Sequence, residues 1–238
     1  MDTEKTELKG FSKYTDNLRD VARHEAGHAL MLWLLDQHLF GIFIRKEGGM
    51  TRRLEAEGNT MGMASHYILY ILAGMIMEQR KEAVEELHEH ADDSGCFDQR
   101  TDSYFVAKAL ENFEDPPLVV LSRHEAVIRR CRRRFARQFN ELVDILLHRS
   151  EHALVFNQAY ELFAKWDIMA GFDKRPKSDF VMRALAREFG WRLPRCKWIG
   201  WDMEPLPPDW EPRPKRTLEE IIKIVGKELA GNAGLQDE

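Results

Sequence analysis

The sequence predicts a mainly α-helical domain that carries one short β-strand or hairpin and ends in an irregular tail. Three observations predict it. Apolar residues recur at helical spacing along most of the first 190 positions. A compact β-like run, Phe40-Gly41-Ile42-Phe43-Ile44-Arg45, interrupts that pattern and is closed by Gly48-Gly49. Residues 190–215 then hold more than half of the prolines and four of the six tryptophans, which fits packing without regular structure. At 238 residues and 44 % hydrophobic content the chain can bury a core and is not of the disordered class.

The elements follow in order. Residues 16–35 read as a helix, because Leu18, Val21, Ala22, Ala26, Ala29, Leu30, Trp33 and Leu34 share helical spacing behind an Asp16 cap. The strand at 40–45 follows, and a second extended piece is expected at 61–64. Residues 65–90 form one long helical pattern, apolar in its first half (Ile68, Leu69, Leu72, Ala73, Ile76) and acidic by its end. A helix over about 98–114 is marked by Phe105, Val106, Ala109, Leu110 and Phe113 and ended by Pro116-Pro117. Further helices are expected at 122–147, 153–169 and 180–189. Lys174-Arg175-Pro176-Lys177 marks a seam, dividing the chain into a main domain, 1–172, and an extension, 173–238. In that extension, Thr217-Leu218-Glu219-Glu220 is a capping box that opens a last amphipathic helix.

Composition excludes several function classes. The longest apolar run, 67–77, falls short of the roughly 20 residues a membrane helix needs. The start is polar, with no apolar segment behind a basic one, so no secretory signal is expected. Cys96, Cys131 and Cys196 form neither a CxxC pair nor an even framework, which suits a reducing cytoplasm. A net charge of -5 exerts no general pull toward nucleic acid.

The chemistry-bearing motif is His24-Glu25-Ala26-Gly27-His28, an HExxH pattern on the first helix. Residues four apart lie one turn above each other, so His24 and His28 can present two imidazoles to one Zn²⁺ while Glu25 points to the attacking water. Small residues at 26 and 27 let another element approach closely. A catalytic zinc needs a third protein ligand from elsewhere and an open position. Other patterns fit solvated or structural roles better. His148-Arg149-Ser150-Glu151-His152 matches the inverted HxxEH motif, with its histidines on one predicted helix face, but sits among polar and basic residues. His124-Glu125-Ala126 lacks a second histidine, since Ile128 stands in its place. Glu85, Glu86, His88, Glu89 and His90 read as an acidic helix end. The arginines at 123, 129, 130, 132, 133, 134 and 137 read as a solvated face that complements the acidic stretch 78–102.

The first half of the chain resembles the peptidase domain of the FtsH-type ATP-dependent zinc metalloproteases. The likeness is carried by His24-Glu25-Ala26-Gly27-His28-Ala29-Leu30, by the strand and glycine loop at 40–49, by Met61-Gly62-Met63, and by Leu72-Ala73-Gly74-Met75-Ile76-Met77-Glu78 with Gly and Glu four apart. It covers about 18–113, and extends less strongly to about 169. It implies a helical, zincin-like metallopeptidase domain whose third zinc ligand is an Asp near the start of a later helix. Ser94-Gly95-Cys96 is the nearest equivalent of the family's preceding loop, and Asp98 and Asp102 follow it at a spacing that departs from the family's. Periodicity favours Asp102, because apolar residues lie 3, 4, 7, 8 and 11 positions beyond it; Asp98 is the alternative, or a partner one turn earlier. The family's ATPase module has no counterpart here, as no GxxxxGK[ST] loop is present.

The function expected from these residues is a zinc-dependent, ATP-independent metalloendopeptidase acting on unfolded or flexible polypeptides, with Glu25 as the catalytic base. The strand at 40–45 is expected to receive an extended substrate by β-augmentation. The expected partners are a polypeptide substrate and, through the extension, another copy or another protein; no membrane or nucleic acid is expected. Two other readings are a metal-holding interaction module without turnover and, through the arginine-rich helix, nucleic-acid association.

Overall fold

The first helix, α1 (Leu18–Leu34), is the centre of the molecule: every residue from 24 to 34 is buried. A helix apolar all round must be enclosed on all sides. The computed structural model describes residues 18–46, 48–53, 64–149, 152–172 and 177–190. Within them α1 is wrapped by α2 (Ala64–Glu78), a β-hairpin and α6 (Ala136–His148). The remaining elements are α3 (Lys81–Glu89), a 3₁₀ turn (Ser94–Cys96), α4 (Asp102–Leu110), α5 (Pro117–Arg134), α7 (Phe156–Ala170) and α8 (Lys177–Glu188). The described residues are thus mainly helical, with eight α-helices and one small sheet. No described helix is long and apolar enough to cross a membrane. The segment expected at 61–63, the Asp16 cap and residues 191–238, with their tryptophans and last helix, lie outside the described residues.

The closest packing joins α1 to α2. A Cβ on Gly27 would lie 2.6 Å from the Ala73 carbonyl oxygen and 3.1 Å from Met77 Cβ, so only glycine admits this approach. At its C-terminus α1 is closed by Asp36 in the left-handed region (φ 57), a conformation that Asp tolerates better than most residues. The Asp36 carboxylate accepts from the Ser178 N–H and hydroxyl and pairs with Lys177, which also pairs with Asp167. Trp33 donates to Asp167 at 2.9 Å and meets Phe135, Trp166 and Phe172 edge-on, which pins α7 and α8 to the end of α1.

The sheet has the order β2-β1-β3, with β1 (Leu39–Arg45) between β2 (Gly48–Arg53) and β3 (Ala153–Val155), all antiparallel. Ile42 and Ile44 are buried and alternate with exposed Phe43 and Arg45, as a half-buried strand requires. Because β1 is paired on both sides, the expectation that 40–45 receives an added strand is corrected: the edge strands among the described residues are β2 and the three-residue β3, and of these β2 is the one that lines the cleft holding His24 and His28.

Four further boundaries differ from the sequence reading. The pattern at 65–90 breaks at Gln79 (φ 68), which reorients α3 so that Val84 and Leu87 reach the core. The helix expected over about 98–114 starts at Asp102, since the Thr101 side chain caps it by accepting from the Tyr104 N–H. The span 122–147 is two helices, starting at Pro117 and bent at Phe135, whose ring enters the cluster formed by Trp33, Phe172 and Phe180. The helix expected from 153 begins at Phe156, because His152 (φ 47) turns the chain and Ala153, Leu154 and Val155 pair with β1.

Gly27→Ala is expected to lower stability by about 1–3 kcal/mol, the usual cost of overpacking, read as a drop in the denaturation midpoint.

Candidate metal centre

Three side chains from two helices converge on one point. His24 and His28 lie one turn apart on α1, and Asp102 is the first residue of α4. His24 Nε2 lies 3.0 Å from His28 Nε2 and 2.7 Å from Asp102 Oδ2, and His28 Nε2 lies 3.2 Å from the same oxygen. These three groups can hold a metal ion. Two sides of the triangle are within about 0.3 Å of the roughly 3.3 Å that separates ligands held about 2.0 Å from a tetrahedral metal, and the His24–Asp102 side is about 0.6 Å shorter.

The far sides of both rings are committed elsewhere. The His24 Nδ1–H donates to Glu78 Oε2 at 3.0 Å, and the His28 Nδ1–H donates to the Tyr70 carbonyl at 2.8 Å. Both partners are acceptors only, so each Nδ1 carries a proton and each Nε2 is turned to the shared point. Glycine makes the arrangement possible. A Cβ on Gly74 would stand 2.5 Å from His28 Nε2 and 2.7 Å from His24 Nε2, so α2 backs directly onto the imidazoles.

Charge inside the site is tightly coupled. Burial disfavours a charged His24, but hydrogen bonds to Asp102 and Glu78 outweigh it and raise its pKa to about 10. Burial likewise disfavours ionised Asp102, yet the two histidines hold its carboxyl well below the ordinary range. Without metal, a protonated His24 therefore bridges two carboxylates at neutral pH. A cation entering the triangle replaces that proton, so metal uptake is coupled to proton release.

Glu25 is buried beside this trio. The Thr51 hydroxyl donates to its Oε2 at 2.6 Å, and Gly49 packs so closely that a Cβ there would lie 2.4 Å from Glu25 Cγ. The Tyr70 hydroxyl in turn donates to the Thr51 carbonyl at 3.1 Å. Burial pushes the Glu25 carboxyl above its ordinary pKa, and His24, His28 and Thr51 offset this only in part. Glu25, the two histidines and Asp102 open onto one cleft of about 860 Å³, walled by Gly49, Met50 and Thr51 of β2.

None of the other sequence candidates joins this trio, although Asp98 lines the same cleft. Asp98 is exposed, and its carboxylate accepts from the Arg100 N–H in a turn before α4. Helix α6 ends at His148, so His148 and His152 share no helix face, and their Nδ1 atoms are spent on the carbonyls of Asp144 and Leu146. His124 is wholly buried between Phe113 and Phe189, and Glu125 pairs with His88 and Arg129. Arg130 pairs with Glu188 of α8 and Arg129 with its own helix, so these two do not complement the stretch 78–102. The sequence alone shows no role for Glu78, Thr51 or Tyr70. The four-residue step from Gly74 to Glu78 was the available signal for the first, and it places both on one helix face.

Removing the partner of the His24 Nδ1–H by Glu78→Ala is expected to weaken divalent-metal affinity about 10- to 100-fold, whereas Asp98→Ala leaves it unchanged, as read by competition with a chromophoric chelator.

Comparison with known proteins adds no relative: no protein-family model matches the chain, and no curated protein matches it.

Proposed function

We propose that the protein is a zinc-dependent endopeptidase that needs no ATP and cuts unfolded or flexible polypeptides. The observation that carries this reading is a buried carboxylate of raised pKa, Glu25, set beside a His-His-Asp trio in an open cleft. Two imidazoles and one carboxylate are the donor set of a catalytic zinc rather than of a closed structural one. Zinc held by His24, His28 and Asp102 would supply Lewis acidity, acidifying a water and polarising the scissile carbonyl. Glu25 then accepts the proton of the attacking water and delivers it to the departing amine. Thr51 and Gly49 fix the Glu25 carboxylate in place, so little reorganisation is needed at the moment of transfer.

The wall of the cleft suits an extended chain. Ile44 sends its N–H to the His152 carbonyl on the β3 side, so its β2 partner Gly49 turns its own N–H and C=O away from β1, to the outer edge. The Thr51 carbonyl, two residues on, faces the same way, toward Tyr70. A substrate strand added there would pass directly beside Glu25. Cys96 and Cys131 are free thiols, in keeping with the reducing cytoplasm we infer for the protein.

The test is casein cleavage by wild type and Glu25→Gln, with and without chelator, alongside zinc analysis. Wild type is expected to carry about one zinc per chain and to cut casein without ATP. Glu25→Gln keeps the zinc and loses the cleavage. His24→Ala and Asp102→Ala lose tight zinc, and His148→Ala keeps it. Zinc retention without cleavage by either protein would favour a metal-holding interaction module instead.

A further inference from the structure

Strand alternation leaves three large apolar side chains on the outer face of the sheet, one from each strand. Met50, Phe43 and Val155 are 51 %, 42 % and 44 % exposed. Phe43 is directly opposite Met50 in the β1–β2 register, and Val155 is opposite Gly41 on the same face. The Phe43 ring lies over Gly41, where an added Cβ would come within 3.2 Å of Phe43 Cε2; the glycine is what seats the ring. Apolar residues exposed singly are ordinary, but a row crossing every strand of a sheet is a recognition feature.

The row runs across the strands and stops at Met50, which is both on the edge strand β2 and in the wall of the cleft. Arg52 is exposed on the same face of β2, its guanidinium over the Phe40 ring at 5.4 Å, and on the other side of Met50 stands Gly48, without a side chain.

We propose that this face selects the substrate: the residue of an added strand that lies beside Met50 is apolar, and the residue two positions along, beside Arg52, is acidic. The inference rests on the peptidase reading above. A strand added to the β2 edge continues the Val155-Phe43-Met50 row, because directly opposite side chains lie only about 5 Å apart and interact. Residues of one face are two apart, so the position next to Arg52 is fixed once the Met50 position is filled. The intervening residue turns to the opposite face, the side of the sheet that holds Glu25. Selectivity is thereby set on the face away from the reacting groups. Folded proteins bury such apolar side chains, and the row therefore favours unfolded chains.

The experiment profiles a quenched-peptide library with the zinc-loaded full chain as wild type, Met50→Lys and Arg52→Glu. Wild type is expected to enrich an apolar residue with Asp or Glu two positions away. Met50→Lys should lose the apolar preference, with a roughly 10-fold or larger fall in kcat/KM on the preferred peptide, mostly through KM. Arg52→Glu should exchange the acidic preference for a basic one. A second arm needs no turnover: anisotropy of the same fluorescent peptide on Glu25→Gln, alone and with Met50→Lys added, should show weaker binding in the double variant. Casein cleavage that persists with a library profile flat at these positions, or unchanged in both variants, overturns the selectivity proposal and leaves the peptidase reading intact. Equal cleavage by wild type and Glu25→Gln overturns the peptidase reading. Absence of peptide binding in the second arm overturns the selectivity proposal whatever the activity.

Discussion

The approach of α2 to α1 at glycine distance is the constraint on which the rest of the structure depends. Gly27 lets the Ala73 carbonyl touch α1, and Gly74 lets the α2 backbone press on both imidazoles. With no side chain between the helices, the carboxylate of Glu78 and the carbonyl of Tyr70 fall within reach of the two Nδ1 atoms. The metal-facing nitrogens are thus oriented by helix packing. The cost is that α1 must be buried from His24 to Leu34, and the hairpin, α6 and the aromatic cluster around Trp33 provide that enclosure.

Burial is also what gives the site its chemistry. Three ionisable groups of α1 are removed from water and Asp102 of α4 is partly so, in surroundings where unpaired charges are costly and paired ones interact strongly. His24 resolves the conflict by holding a proton between Asp102 and Glu78, a place that a metal ion can take. Glu25 has no such cation of its own and is steadied by a neutral hydroxyl, so its affinity for a proton is raised. In the proposed peptidase, one helix therefore presents imidazoles as ligands and a carboxylate as the base, distinguished only by what α2 and β2 place against each.

Much of this was legible in the sequence because helical periodicity is local. Four-residue spacing put His24 and His28 on one face, and the apolar pattern beyond Asp102, rather than Asp98, identified the side chain that reaches them. Strand partners and helix breaks are not local. Ala153, Leu154 and Val155 suit the start of a helix as well as a strand, and pairing with Ile42 and its neighbours decides. Gln79 and Phe135 carry no breaking residue type; the chain turns there because Val84 and the Phe135 ring are drawn into the core. The position of β1 inside the sheet follows from β3, which is hidden in a helical pattern, and the proposed β-augmentation therefore falls on β2 rather than β1. Thr51 and Tyr70 are silent for the same reason, since each acts through a contact with a residue far away in sequence, and the Gly74-to-Glu78 step shows a shared helix face but not the partner of Glu78.

The central claim is that His24, His28 and Asp102 form one zinc site with an open position. X-ray absorption at the zinc edge of the purified full chain tests it most directly. The account predicts a four-coordinate spectrum with two imidazole ligands and oxygen donors, losing its imidazole signature in His24→Ala and unaltered in His148→Ala. A spectrum with sulfur ligands, or one that His24→Ala leaves unchanged, would contradict it.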